Sequence, residues 1–481
     1  MPNRRIARLL TACLLVSLIW AACAINPVTG KRELMLISEA QEIQYGAEGD
    51  KEICAEYGVV DNPALTAYVE RIGLSMSRIT HRPNLQWHFR VLDTPVVNAF
   101  AVPGGYIYVT RGILAYMNDE AELAGVIGHE LGHVNARHTA RSISQQQLAM
   151  IGLQLGYAFS EKLRNLSGLA EFGVNMLFLK FSRDDERQAD DLGVEYASKQ
   201  AYDTKRMAAF FETLERMSGG EESGLPDWFS THPNPENRVA AVLKKTAQWQ
   251  TQLALANYNV NRDAYLKTIS GLTFGDDPAQ GYVSGNAFYQ PAMKFTFPVP
   301  NGWTVNNMAS QVQIADPNGA ASIILMIDSG SSASAAADKF ISGNNAVVQT
   351  RQSLTVGGYA SQKLVSRLAS ESDTLKVMSY FIPKDGTVYA FHGLSTPAQY
   401  DQFTKHFATT MGGFRKLTDA SKINVKAERL TVKSVPKAAT LRSILKQGGI
   451  ADSRLEEMAI MNGMRLDETV PAGTLVKIPA K

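Results

Sequence analysis

Two imidazoles and a carboxylate are set close together in Val126-Ile127-Gly128-His129-Glu130-Leu131-Gly132-His133. His129 and His133 are four residues apart, so on an α-helix they point within about 40° of one another, toward one object. Neutral imidazoles suit a zinc ion, and a third protein donor would leave one position open for water. Glu130, beside them, can take that water's proton as it attacks a carbonyl. The plainer reading is a half-buried amphipathic helix that happens to carry two histidines. With only 8 histidines in 481 residues, this spacing arises by accident on the order of one time in a hundred.

A second acidic segment, Phe181-Ser182-Arg183-Asp184-Asp185-Glu186-Arg187-Gln188-Ala189-Asp190, completes the chemistry. Ser182 followed by Asp185 starts a helix in capping fashion, and Glu186 and Asp190, four apart, share a face. One carboxylate can be the third zinc donor while the other receives the remaining N–H of a ligating imidazole. Standing alone, this would be an exposed acidic helix start.

The elements that must position these groups are legible around them. Asn118 can cap the histidine helix, Asp119 and Glu120 suit its first turn, and Arg137 and His138 lie near its other end. Leu123, Ala124, Val126, Ile127, Leu131 and Val134 give it a buried body. His138, about 140° around the helix from His133, does not reach the metal. Upstream, Ser38 to Met76 is helical with Ile43, Ile53, Ala64, Val69, Ile72 and Leu74 inward, and Trp87 to Leu92 alternates as a strand. Asn98 to Thr110 is a strand, a Gly-Gly turn and a second strand, open to reading as an edge that holds a substrate backbone by strand addition, as in zinc peptidases, or as a strand paired within the sheet on both sides. Downstream, Ser142 to Leu179 is a loosely amphipathic stretch, open to reading as core helix, membrane-surface contact or lid.

With both segments in hand, the chain resembles metallopeptidase family forty-eight, the gluzincins, and within it the soluble BepA-like branch. Asn26-Pro27-Val28-Thr29-Gly30 and Ser230-Thr231-His232-Pro233 also look like that branch. The resemblance covers roughly residues 23 to 255. It implies one Zn2+ per chain on His129, His133 and Glu186, with Glu130 as general base and Asp190 as partner of a ligating imidazole. It also brings His232 near the metal, where it could steady the oxyanion or close the open position in a resting state.

Length, charge and cysteine content bound the rest. The chain can hold two or three domains, and a formal net charge of +2 without a basic stripe offers no argument for nucleic acid. Residues 1–22 read as a signal peptide, with Arg4, Arg5 and Arg8 before an apolar run too short to span a bilayer comfortably. Trp20-Ala21-Ala22-Cys23 looks like a lipobox, which implies a lipidated Cys23 anchored at the outer membrane, although Trp20 stands where leucine is usual. Only Cys13, Cys23 and Cys54 are present, so no disulfide scaffold is expected. Residues 256–288 read as a linker and 289–417 as an α+β domain that faintly resembles Mog-like and PsbP-like proteins. Residues 428–480 resemble a LysM module, which implies peptidoglycan as a partner.

The sequence therefore predicts an α+β protein in three parts. They are a mainly helical gluzincin domain with a small sheet over 23–255, the α+β domain, and a βααβ LysM-like module. The expected function is a zinc metalloendopeptidase of the cell envelope acting on misfolded or misassembled proteins. The rivals are a proteolytically silent chaperone or assembly factor using the same cleft, and a wall-anchored sugar-binding protein.

Overall fold

The computed structural model describes residues 23–154, 180–219, 227–233, 237–369 and 374–481. The expected signal peptide and most of the stretch considered as a lid lie outside the described residues. Two compact units emerge: one contains Gly58–Phe274, Arg429–Ala480 and the N-terminal residues to Cys54, and the other Gly275–Glu428. No helix among the described residues is long and apolar enough to cross a membrane.

The first unit is mainly helical. Its helices are α1 (Glu39–Tyr57), α2 (Pro63–Ser77), α3 (Arg111–Tyr116), α4 (Glu120–Asn135), α5 (His138–Gln154), α6 (Arg183–Lys199), α7 (Lys205–Ser218), α8 (Asp227–Thr231), α9 (Arg238–Leu253) and α10 (Arg262–Ile269). Its small sheet pairs His88–Leu92 in parallel with Tyr106–Thr110, which pairs in turn with the antiparallel edge strand Ala99–Val102.

Every residue of α4, which carries His129 and His133, is buried. Its cap is Asp119 rather than Asn118: the Asp119 carboxylate accepts the Glu122 N–H at 2.9 Å, and the Glu122 side chain accepts the Asn118 N–H at 2.7 Å. Arg137 and His138 are not part of α4. Arg137 takes a left-handed φ of 58° and His138 opens α5. The last carbonyls of α4 are served from elsewhere, Val134 by Arg82 Nη1 at 3.0 Å and Ala136 by Asn26 Nδ2 at 3.1 Å. The Asn-Pro-Val-Thr-Gly motif therefore ties the N-terminal segment to the end of this helix.

Helix α6 starts with the expected reciprocal cap between Ser182 and Asp185. It crosses α4 where both backbones are bare. A Cβ on Gly128 would stand 2.9 Å from the Gly193 carbonyl oxygen, and one on Gly132 would stand 3.0 Å from the Ala189 Cα. That closeness lets a carboxylate on one helix meet imidazoles on the other.

The expected helix over Ser38 to Met76 is two helices, broken between Gly58 and Asn62. Ile53, Val69 and Ile72 are buried as expected, but Ile43, Ala64 and Leu74 are exposed. The inward face of α1 instead carries Glu42, Gly46, Gly49 and Ile53. Gly46 is there because a side chain would collide with the Pro103 carbonyl and the Tyr106 ring.

The C-terminal segment is built into this unit. The strands Glu428–Ser434 and Leu475–Ala480 pair antiparallel, and the first also pairs with Thr273–Phe274. Between them run helices Leu441–Gln447 and Leu455–Met461. Leu430, Leu441, Leu455, Met458 and Val476 share one apolar core with Leu123, Met207 and Tyr265. Residues 256–288 are no mere linker either. Helix α10 buries Tyr265, Leu266 and Ile269 in that core, while Tyr282–Ser284 and Ala287–Gln290 are strands of the other unit.

The second unit holds, among the described residues, the helices Ala333–Gly343, Tyr400–Gly412 and Ala420–Ile423, a four-stranded antiparallel sheet (Arg415–Lys416, Phe295–Pro298, Ala287–Gln290, Tyr282–Ser284) and a seven-stranded antiparallel sheet. The seven strands run in spatial order Thr304–Asn307, Gln311–Ala315, Ala321–Asp328, Thr387–Ser395, Thr374–Lys384, Tyr359–Ala369 and Val347–Val356. Alternating side chains build two cores: Tyr380, Ile382, Tyr389 and Phe391 join Phe407 in one, and Phe381, Val388 and Ala390 join Ala336 and Ala337 in the other. The helices over Ala333–Gly343 and Tyr400–Gly412 contribute one to each.

Candidate metal centre

The six residues expected to do chemistry lie together. Donor atoms of His129, His133, Glu186 and His232 all stand within 4.8 Å of one another, and among the described residues this is the one group of metal-ligating side chains. His133 Nε2 is 3.0 Å from His129 Nε2, and His232 Nδ1 is 3.3 Å from that same His129 atom. Glu186 Oε1 lies 3.3 Å from His133 Nε2 and 3.0 Å from His232 Nδ1, and Glu186 Oε2 lies 3.5 Å from His129 Nε2.

Those separations test whether zinc fits. Donors placed tetrahedrally at about 2.0–2.1 Å from zinc stand about 3.3 Å from one another, which is the spacing found here. Both Glu130 carboxylate oxygens and Glu186 Oε2 are buried with no hydrogen-bond partner. Buried charged oxygens are costly when left so, and a cation with its water removes that cost. Three imidazoles and a carboxylate are a zinc donor set.

The electrostatics follow from burial. Glu130 is pushed up to about 7, chiefly by burial and also by Glu186, against the pull of His232. Burial alone would raise Glu186, but the facing imidazoles of His232, His133 and His129 hold it well below the usual carboxylate range. His133 is pushed down to about 3 by burial, and His129 falls the same way. Both imidazoles are therefore neutral, as zinc ligands must be. The carboxylates of Glu186 and Glu130 outweigh burial at His232 and raise it.

Asp190 holds His129 from behind, with Oδ1 accepting from His129 Nδ1 at 2.9 Å. Burial pushes Asp190 up to about 6, and Arg238 opposes this with bonds of 2.9 and 2.8 Å to its two oxygens. The Arg238 guanidinium lies 3.9 Å above the Phe211 ring and is itself buried. Sequence reasoning missed Arg238. Its signal was a cation at the first position of α9, where the helix dipole disfavours positive charge unless a carboxylate is at hand.

Two aromatic rings wall the group. Trp228 on α8 stacks on His232 with centroids 4.3 Å apart, and Phe181 lies 4.1 Å from the His133 ring. His138 is away from the donor atoms, as expected, yet it contacts the outer nitrogen of His133. The four remaining histidines serve elsewhere or not at all in the site. His81 bonds Tyr196, His88 stacks on Tyr106, His392 bonds Ser379, and His406 lies beside Trp303.

Part of this chain is similar to known proteins. The chain is 27% identical over 221 residues to the beta-barrel assembly-enhancing protease of Escherichia coli (strain K12), covering 44% of this chain and 45% of that protein. It is 30% identical over 228 residues to the mitochondrial metalloendopeptidase OMA1 of Schizosaccharomyces pombe, covering 46% of this chain and 65% of that protein. The chain thus spans about half the length of the curated relatives it matches. Among solved structures, cyanobacterial PsbP from Synechocystis sp. PCC 6803 is 16% identical, with 28% of this chain and 96% of that one covered at a TM-score of 0.24. Residues 63–246 match Peptidase family M48. The helices that build the metal group fall inside that span.

Proposed function

We propose that this protein is a zinc metalloendopeptidase of the bacterial cell envelope. One observation carries the reading: a buried zinc donor set lies beside a buried carboxylate that has no hydrogen-bond partner.

His129, His133 and Glu186 would hold the zinc, which when bound polarises the scissile carbonyl and makes water acidic enough to attack it. Glu130 takes the proton of the attacking water and returns it to the departing amine. Burial raises that carboxylate above the usual range, which makes it a stronger base. Asp190, held by Arg238, keeps His129 in the tautomer that presents Nε2 to the metal. His232, with Nδ1 3.0 Å from Glu186 and Nε2 3.6 Å from Glu130, would be a further donor to the zinc or would steady negative charge developing on the substrate carbonyl oxygen. The strand Ala99–Val102 packs beside α4 and has an outer edge with no strand partner among the described residues. An extended peptide adds to that edge.

The name of the Escherichia coli relative supports misassembled envelope proteins as substrates. We further assign membrane attachment to a lipidated Cys23, and peptidoglycan contact to the strand–helix–helix–strand segment 428–480, in the manner of a LysM module. A second reading has its own support: His129, Glu130, His133, Glu186 and His232 are all at most 1% exposed. A closed site fits an assembly factor that binds envelope proteins without cutting them.

The zinc-loaded full chain should cleave an unfolded protein such as casein, lose that activity to a chelator and regain it with zinc. Glu130→Gln should bind zinc at one per chain and cleave about 10²–10⁴-fold more slowly. Zinc binding without cleavage by the wild type would favour the assembly factor.

A further inference from the structure

His129 and His133 are supported by different chemistry. His129 leans on a carboxylate, the usual outer partner of a zinc imidazole. His133 has no carboxylate behind it. Its Nδ1 lies 2.9 Å from Nδ1 of His138, whose Nε2 lies 2.9 Å from Oε1 of Gln188. His138 is 1% exposed and opens α5, while Gln188 sits on α6 two residues beyond Glu186.

The order of donors along this chain follows from one end. His133 turns Nε2 to the metal group, so its proton is on Nδ1 and must be donated outward. His138 Nδ1 then accepts, its own proton is on Nε2, and that proton goes to the Gln188 carbonyl oxygen. A hydrogen-bond chain thereby runs from α4 through α5 to α6, the helix that supplies Glu186.

We propose that His138, oriented by Gln188, is a positioning residue that fixes the ring plane and tautomer of His133 and so sets how tightly the site holds zinc. The proposal rests on the metal-centre reading above. Asparagine at 138 keeps an acceptor oxygen close to where Nδ1 stood, whereas leucine keeps only bulk.

The test is zinc affinity of the full chain by competition with a chromophoric chelator, for wild type, His138→Leu and His138→Asn. Leucine should weaken zinc binding by about 10–100-fold, with asparagine recovering most of that loss. Leucine binding zinc as tightly as wild type, or asparagine as poorly as leucine, would overturn the proposal. Histidine-selective ¹⁵N NMR of the zinc-loaded wild type requires no variant to fold: His138 should carry its proton on Nε2, and a proton on Nδ1 would overturn the proposal equally. Wild type that holds no zinc would instead remove the metal-centre reading on which this one stands.

Discussion

The two units bury different things. In the first, Asp119, Glu120, Glu122, Glu130, Glu186, Arg111, Arg238 and Lys477 are all at most 3% exposed, and most of their partners come from remote parts of the chain. In the second, the core is aromatic: Phe288, Phe295, Phe297, Phe391, Phe407 and Phe414 pack on one another. Its buried histidine, His392, is satisfied by Ser379 directly across the sheet at 2.9 Å. Burying charge is costly unless every charge is met, and apolar packing alone would make a sturdier core. The first unit accepts that cost where imidazoles and carboxylates must be held still; the second buries Lys384 against the Met293 carbonyl and Asp385 and contains no metal-ligating group among its described residues.

Two substitutions of similar energetic size separate these cases. Arg238→Met leaves Asp190 buried without its cation and should cost about 3–5 kcal/mol. It should also weaken zinc binding, because Asp190 no longer fixes His129. Phe391→Ala opens a cavity in the second unit and should also cost about 3–5 kcal/mol, with zinc affinity unchanged. Thermal unfolding followed alongside chelator competition reads both. Loss of zinc affinity in Phe391→Ala, or its retention in Arg238→Met, would erase the distinction.

The part of this contrast written in local pattern could be read from the sequence. The spacing of His129 and His133, the cap from Ser182 to Asp185, and the turn at Gly104-Gly105 are decided by residues within one helical turn or one hairpin. The partners are decided by packing, and no periodicity carries them. Ile43 looked inward by hydrophobicity alone, but α1 turns Gly46 to the Pro103 carbonyl and the Tyr106 ring, and the core goes with the closer backbone approach. The cap is Asp119, whose carboxylate accepts the Glu122 N–H, and Asn118 stands one residue ahead of it. The largest surprise, the C-terminal segment sharing a core with the metal-bearing helices, depends on contacts more than 300 residues apart in the chain. A βααβ pattern shows that such a segment folds, and does not show against what.

Lys477 probes that last junction and the smallest of the expected effects. It reaches from the strand Leu475–Ala480 to donate to the carbonyls of Ala115 and Met117 at 2.7 and 2.6 Å, closing the end of α3 just before α4 begins. Lys477→Met leaves both carbonyls without their partner and should cost about 1–3 kcal/mol. The cost should depend on pH. Burial pushes Lys477 down to about 7, against the pull of Glu122, while in the unfolded chain it titrates at about 10.4. Between these values the unfolded wild type binds more protons than the folded one, so this lysine makes stability rise as pH climbs from about 7 to about 10. The methionine variant lacks that rise. Its deficit against wild type should therefore be larger at pH 9 than at pH 7, as read by denaturant midpoints. A deficit that stays constant with pH would mean that Lys477 remains charged in the core, and that the charged state is what fastens the C-terminal strand to the helices of the metal site.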